Sequence, residues 1–115
     1  MSATYYHNPR CSKSRQGLAI LEEANVDFKI KEYLKEPMSK NEIKTLFKKL
    51  GKEPLEVVRT KEGIFKELDL KNKELNKEQW AETIAENPVL LERPILVVGD
   101  KAVIGRPPED LNTIL

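Results

Sequence analysis

Hydrophobic positions along this chain change period several times, and each change marks an element. Thr4 to His7 contains two tyrosines, which favour extended backbone, and reads as a short strand. "HNP" breaks it. From Ser12 onward Gly17, Leu18, Leu21 and Ala24 recur at spacings of three and four, the period of one helix face, and Asn25 closes the run. "DFKIKEY" then alternates, which predicts a half-buried strand with Phe28 and Ile30 inward and Lys29 and Lys31 outward. Lysines on the open positions suit a sheet edge.

The middle of the chain is helical in pattern. Pro37 and Ser39 open a helix in which Ser39 and Glu42 have capping-box spacing, so that two free backbone donors are satisfied reciprocally. Ile43, Leu46, Phe47 and Leu50 form its apolar stripe, and Gly51 ends it. "EPLEVVRT" predicts another short helix, opened by Pro54. Lys61 to Lys73 is charge-rich, with Ile64, Phe65, Leu68 and Leu70 turned inward. Asn76 and Gln79 repeat the capping pattern before a helix carrying Trp80, Ile84 and Ala85, stopped by Asn87 and Pro88.

"PILVV" (Pro94 to Val98) is a continuous apolar run, as in a strand buried on both faces. Gly99-Asp100 is a two-residue hairpin signal leading into "KAVIG". Pro107-Pro108 opens a last helix with Leu111, Ile114 and Leu115. The order is β-α-β, a helical middle, then a β-hairpin and a helix. It predicts an α/β domain with a mixed β-sheet covered by helices and a helical insertion in the middle of the chain. Thioredoxin-like architecture fits that order best.

Composition narrows the class. The 115 residues suffice for one domain, residues 1–115, with a single core. The formal net charge is +1, so the global field offers no reason to expect nucleic acid or an anionic membrane as partner. No apolar run is long enough to span a bilayer, and the N-terminus lacks a signal-peptide core. The single cysteine cannot form an internal disulfide, consistent with a thiol-reduced, cytoplasmic protein.

That cysteine carries the candidate chemistry. "YYHNPRCSKSRQ" holds both the only histidine, His7, and the only cysteine, Cys11, along with Arg10, Lys13 and Arg15, and no acidic residue precedes Glu22. Cys11 falls where a strand hands over to a helix, whose free N–H groups and dipole favour an anion. Basic neighbours add to this, and thiols so placed have lowered pKa values. A lone cysteine is otherwise a small buried hydrophobe, but polar and basic flanks on both sides favour a reactive thiolate. His7 reads either as a solvated turn residue or, through its closeness to Cys11, as a supporting group. Arg93-Pro94 and Arg106-Pro107 flank the predicted hairpin, each arginine held extended by the following proline. A guanidinium fork suits a tetrahedral oxyanion. Arg59, in "VVRTKE", has no such context.

"HNPRCSKSR", "VVRTKE", "ERPI" and "GRPPE", in this order and spacing, resemble the glutaredoxin-linked arsenate reductase family of thioredoxin-like proteins. "CSKS" and "GRPPE" are typical of its short subgroup. The resemblance implies that Cys11 is the catalytic nucleophile and that His7 helps to hold its thiolate. It implies that Arg59, Arg93 and Arg106 bind arsenate, and that Asn8, Ser14, Arg15 and Pro94 support the loop, with Pro94 cis. It also implies glutathione as external reductant, glutaredoxin as partner, arsenite as product and no bound cofactor; a monomer is expected. One histidine and one cysteine do not compose a metal cage.

Two readings of another class compete. RNA-polymerase-binding redox regulators share the fold, but they carry C-x-x-C where this chain has Cys11-Ser12-Lys13-Ser14. Monothiol glutaredoxins carry C-x-x-S, but need a glutathione site in place of an arginine triad. All three arginines favour the enzyme.

Overall fold

The structure, a computed structural model, describes residues 3–115. Within them the chain forms two compact units. One joins residues up to Glu36 with Arg93–Leu115, and the other is the continuous segment Pro37–Glu92. The second unit is the helical insertion expected from the sequence.

The first unit is built on a four-stranded mixed sheet. Strand β1 (Ala3–Tyr6) leads into helix α1 (Ser12–Glu23) and then β2 (Lys29–Lys31). After the insertion come β3 (Ile95–Val98), β4 (Lys101–Ile104) and a 3₁₀ segment, Pro108–Ile114. The sheet order is β2-β1-β3-β4, with β1 parallel to β2 and antiparallel to β3, and β3 antiparallel to β4. This is the topology of a thioredoxin-like sheet. A crossover helix is what a parallel neighbour requires, and α1 supplies it. Gly99, at φ 59°, takes the left-handed conformation at the β3–β4 turn.

Ala3, Tyr5, Leu21, Leu96 and Leu111 form the buried centre of this unit, with Leu18, Phe28, Val98, Val103 and Ile114 packed around it. Gly17 is there because nothing larger fits. A Cβ at that position would meet the Tyr5 hydroxyl and lie 2.8 Å from Leu111 Cδ1. One apolar expectation fails: Ile30 is 50% exposed. Leu115, placed in the last helix by its pattern, lies beyond that segment and is 44% exposed. Ile30 lies on an edge strand of three residues, too short to be covered on both faces, and Leu115 follows the last turn. Lys29 and Lys31 do mark that edge, as their pattern foretold.

The second unit pairs α2 (Lys40–Leu50) with α4 (Lys77–Glu86); between them lies the short helix α3 (Gly63–Glu67), with 3₁₀ turns around it. Both predicted capping boxes form: Ser39 with Glu42, and Asn76 with Gln79. Each contributes about 1 kcal/mol to its helix. Gly51 closes α2 at φ 63°. Ile43, Leu46 and Phe47 on α2 and Trp80, Ala81 and Ile84 on α4 are buried. Ala81 is fully buried and Ala85 only half-buried, because Ala81 lies three residues before Ile84 on the inward face. "PLE" makes a single 3₁₀ turn, Pro54–Glu56.

Candidate active site

Strand register brings three distant segments to one end of the first unit's sheet. Tyr6 pairs with Ile95, and Ile95 pairs with Ile104. The residues just beyond these pairs are therefore neighbours: the 7–11 loop, Arg93-Pro94 and Gly105-Arg106. Both Arg93-Pro94 and Arg106-Pro107 are cis peptides. Gly105 N donates to Pro94 O at 2.9 Å, locking two of these segments together.

The loop holds itself by its own polar groups. Asn8 O accepts from Cys11 N at 3.0 Å, and Asn8 Oδ1 accepts from Arg10 N at 3.1 Å. Arg15 reaches back and donates to Pro9 O at 2.8 Å. Ser14 is fully buried at the centre. Its Oγ accepts from Asn8 N at 3.0 Å and lies 2.6 Å from His7 Nδ1, while its carbonyl accepts from the Tyr5 hydroxyl at 2.6 Å. The His7 ring also stacks on Tyr5, with centroids 5.6 Å apart. His7 is thus a buried residue and not a solvated turn histidine.

Cys11 is the N-cap residue of α1 and is 9% exposed. Its sulfur makes no full cap hydrogen bond. Burial pushes its pKa up, but the Ser14 backbone N–H, the Arg93 guanidinium and the Lys13 backbone N–H outweigh this and hold the thiol below its ordinary value. Arg106 also donates to the sulfur at 3.5 Å, and its Nε donates to Arg93 O at 2.7 Å.

Here the charge assignment from sequence needs correcting. Arg10, Lys13 and Arg15 are exposed, and the guanidinium groups that face the sulfur are those of Arg93 and Arg106. Burial, opposed by Glu32, holds the His7 pKa below its usual value, with Arg15 lowering it further. That direction favours the neutral ring, so His7 is a weak source of positive charge for the thiolate. Tyr5 is pushed up to about 12 by burial and stays a hydrogen-bond donor.

Arg59 lies in the second unit. Its Nε donates to Glu62 at 3.0 Å and its Nη1 to Glu92 at 3.1 Å, with the side chain 23% exposed. An isolated pairing of Val58 with Leu91 fixes this stretch, reinforced by Arg59 N to Leu90 O at 2.7 Å. The i, i+3 spacing of Arg59 and Glu62 was readable in "RTKE"; Glu92, 33 residues away, left no local signal. The Tyr5–Ser14 bond was equally hidden. Among the described residues no three His, Cys, Asp or Glu side chains cluster as metal ligands would, and no helix is long and apolar enough to cross a membrane.

The sequence matches the ArsC family over residues 6–114. It is similar, at 45% identity over 116 aligned positions spanning 100% of both chains, to the arsenate reductase of Haemophilus influenzae. Its structure superposes with a TM-score of 0.95 on the arsenate reductase from Vibrio cholerae, 42% identical, over 100% of this chain and 98% of that one. A more distant likeness, 30% identity over 97% of this chain and 86% of the relative, is to the global transcriptional regulator Spx 1 of Oceanobacillus iheyensis.

Proposed function

The chain belongs to the ArsC family, and from that premise we propose that it is an arsenate reductase whose nucleophile is Cys11. The observation that carries the reading is the Cys11 sulfur at the N-terminus of α1, with Arg106 at 3.5 Å and Arg93 lowering its pKa. A thiolate and two guanidinium groups at one point can attack an oxyanion and neutralise its charge together. Arg59 is the third arginine of the proposed set, oriented by Glu62 and Glu92.

In this cycle the Cys11 thiolate attacks arsenic and an arsenate oxygen leaves as water, forming a Cys11–S–As(V) bond. The arginines stabilise the redistributed charge, as oxyanion donors do. Cys11 is the only thiol in the chain, and Ser14 stands where a resolving cysteine would be. A serine cannot close a disulfide, so the second electron-supplying thiol is external. Glutathione attacks the Cys11 sulfur, the S–As bond breaks with its electron pair left on arsenic, and arsenite departs. The resulting Cys11–glutathione disulfide is resolved by glutaredoxin. His7 and Ser14, with Asn8, Arg15 and Pro94, keep the loop in this form. The reaction uses no bound cofactor, and residues 1–115 act as one cytoplasmic, monomeric domain.

The likeness to a transcriptional regulator supports a second reading, a redox or regulatory protein without arsenate activity. A steady-state assay of arsenite formation with glutathione and glutaredoxin decides between them. Turnover that requires both the external thiol and Cys11 is expected. Full activity in Cys11→Ser, or no arsenite together with binding to RNA polymerase subunits, would overturn the enzyme reading.

A further inference from the structure

Beside the Cys11 loop the first unit contains a cleft of about 240 Å³ in which neither Cys11 nor an arginine of the proposed set takes part. One wall is the loop itself, with His7, Pro9 and Arg10. The facing wall is the turn after β2, with Glu32, Leu34 and Lys35. The walls are joined by His7 N donating to Lys31 O at 2.9 Å. The turn is fixed by Lys35 N and Glu36 N, which both donate to Glu32 O, at 3.0 and 2.9 Å.

The lining specifies a ligand chemistry. Arg10 and Lys35 are cations, and Glu32 is an anion 3.6 Å from Lys35 Nζ. Leu34, 42% exposed, and Pro9 add apolar surface. A bare oxyanion would use the cations but be repelled by Glu32 and gain nothing from Leu34. A wholly apolar ligand would strip water from three charges without replacing it. The complement is a small flexible molecule with two carboxylates and one ammonium group. We propose that this cleft is the docking subsite for the external thiol, and that it takes a zwitterionic thiol peptide of the glutathione class.

The inference rests on the reading that an external thiol must return Cys11 to its reduced form, and it says where that thiol is held. Arg10 is among the lining residues, and the reacting sulfur belongs to the next residue in the chain. An extended tripeptide spans about 10 Å, so one anchored by its charged ends can carry a central thiol over the loop to Cys11. The step it serves balances as above. The incoming thiol and Cys11 each give one electron to form their disulfide, arsenic goes from As(V) to As(III), and the thiol proton ends on the arsenite oxygens.

The test uses S-methylglutathione, which keeps the charges of glutathione but cannot react. Titrated into the intact protein and followed by backbone amide NMR, it should shift His7 to Arg10 and Glu32 to Lys35. Lys35→Glu, at an exposed position that leaves the fold intact, should weaken this binding roughly fivefold. In turnover it should raise the KM for glutathione more than the KM for arsenate. Shifts confined to other surfaces, no binding at millimolar concentration, or equal affinity in Lys35→Glu would overturn the proposal. The titration involves no arsenate, so the two readings fail separately. Binding in the cleft without arsenate turnover would sink the reductase and leave the subsite standing, and thiol-dependent turnover without binding would do the reverse.

Discussion

Arg106 donates to the sulfur of Cys11 at 3.5 Å although 95 residues separate them. The contact exists because β1, β3 and β4 pair in a register that brings all three segments to one end of the sheet. The sheet therefore chooses which guanidinium groups face the thiol, while the backbone N–H groups of Lys13 and Ser14 act on it from the adjoining helix start.

The first prediction follows from that ranking. Iodoacetamide alkylation of Cys11 against pH should give a midpoint below about 8.5, the value of a free cysteine. Arg93→Ala should move the midpoint upward, since its guanidinium favours the thiolate. Lys13→Ala and Arg15→Ala should move it less, because those side chains are exposed. An equal effect of all three substitutions would contradict this account.

His7 gives a prediction with a definite sign. Its folded-state pKa lies below the ordinary histidine value of about 6.5, chiefly through burial. Below that value the unfolded chain takes up a proton that the native state resists, so unfolding is favoured. Stability is at its full value above about pH 6.5 and declines as pH falls from there towards the lower folded pKa. Urea unfolding at a series of pH values should show this decline in the parent and a shallower one in His7→Gln. The same variant should raise the Cys11 alkylation midpoint less than Arg93→Ala does, because the ring removed is a weak source of positive charge.

Gly17 inverts a familiar rule. In an exposed helix interior, glycine to alanine gains about 1 kcal/mol. Here the new methyl would meet the Tyr5 hydroxyl and Leu111. Overpacking of a close-packed core costs typically about 1–3 kcal/mol. Gly17→Ala should therefore lower the urea midpoint, and a stabilised variant would show the contact to be soft. Tyr5→Phe should cost about 1 kcal/mol for the lost bond to the Ser14 carbonyl.

Arg59 separates folding from binding. Its two carboxylate partners are partly exposed, so Arg59→Ala should change stability by no more than about 1 kcal/mol. Under the proposed role, the KM for arsenate should rise at least about tenfold, and lysine should restore little, since it lacks the planar fork. Unchanged arsenate kinetics in Arg59→Ala would remove Arg59 from the oxyanion set.

Features that depend on local chemistry could be read from the string of residues. The turn at Gly99-Asp100, the boxes at Ser39 and Asn76 and the stop at Gly51 each form from residues within a few positions of one another, so their signal is local and survives in the string. The apolar runs likewise marked the strands and α1, and the motif around Cys11 pointed to a thiolate at a helix start. Contacts between groups far apart in sequence depend instead on how the elements pack. Sheet register chose Arg93 and Arg106 over Arg10, Lys13 and Arg15 as the cations at the sulfur. Burial beside Tyr5 and Ser14 made His7 a hydrogen-bonded residue whose pKa is lowered, although in the sequence it could equally have been a charged one. Glu92 found Arg59 through a strand-like pairing that no local pattern announced. Ile30 alternates as an inward residue but is exposed, because alternation says which side a residue faces and only the packed neighbours say whether that side is covered.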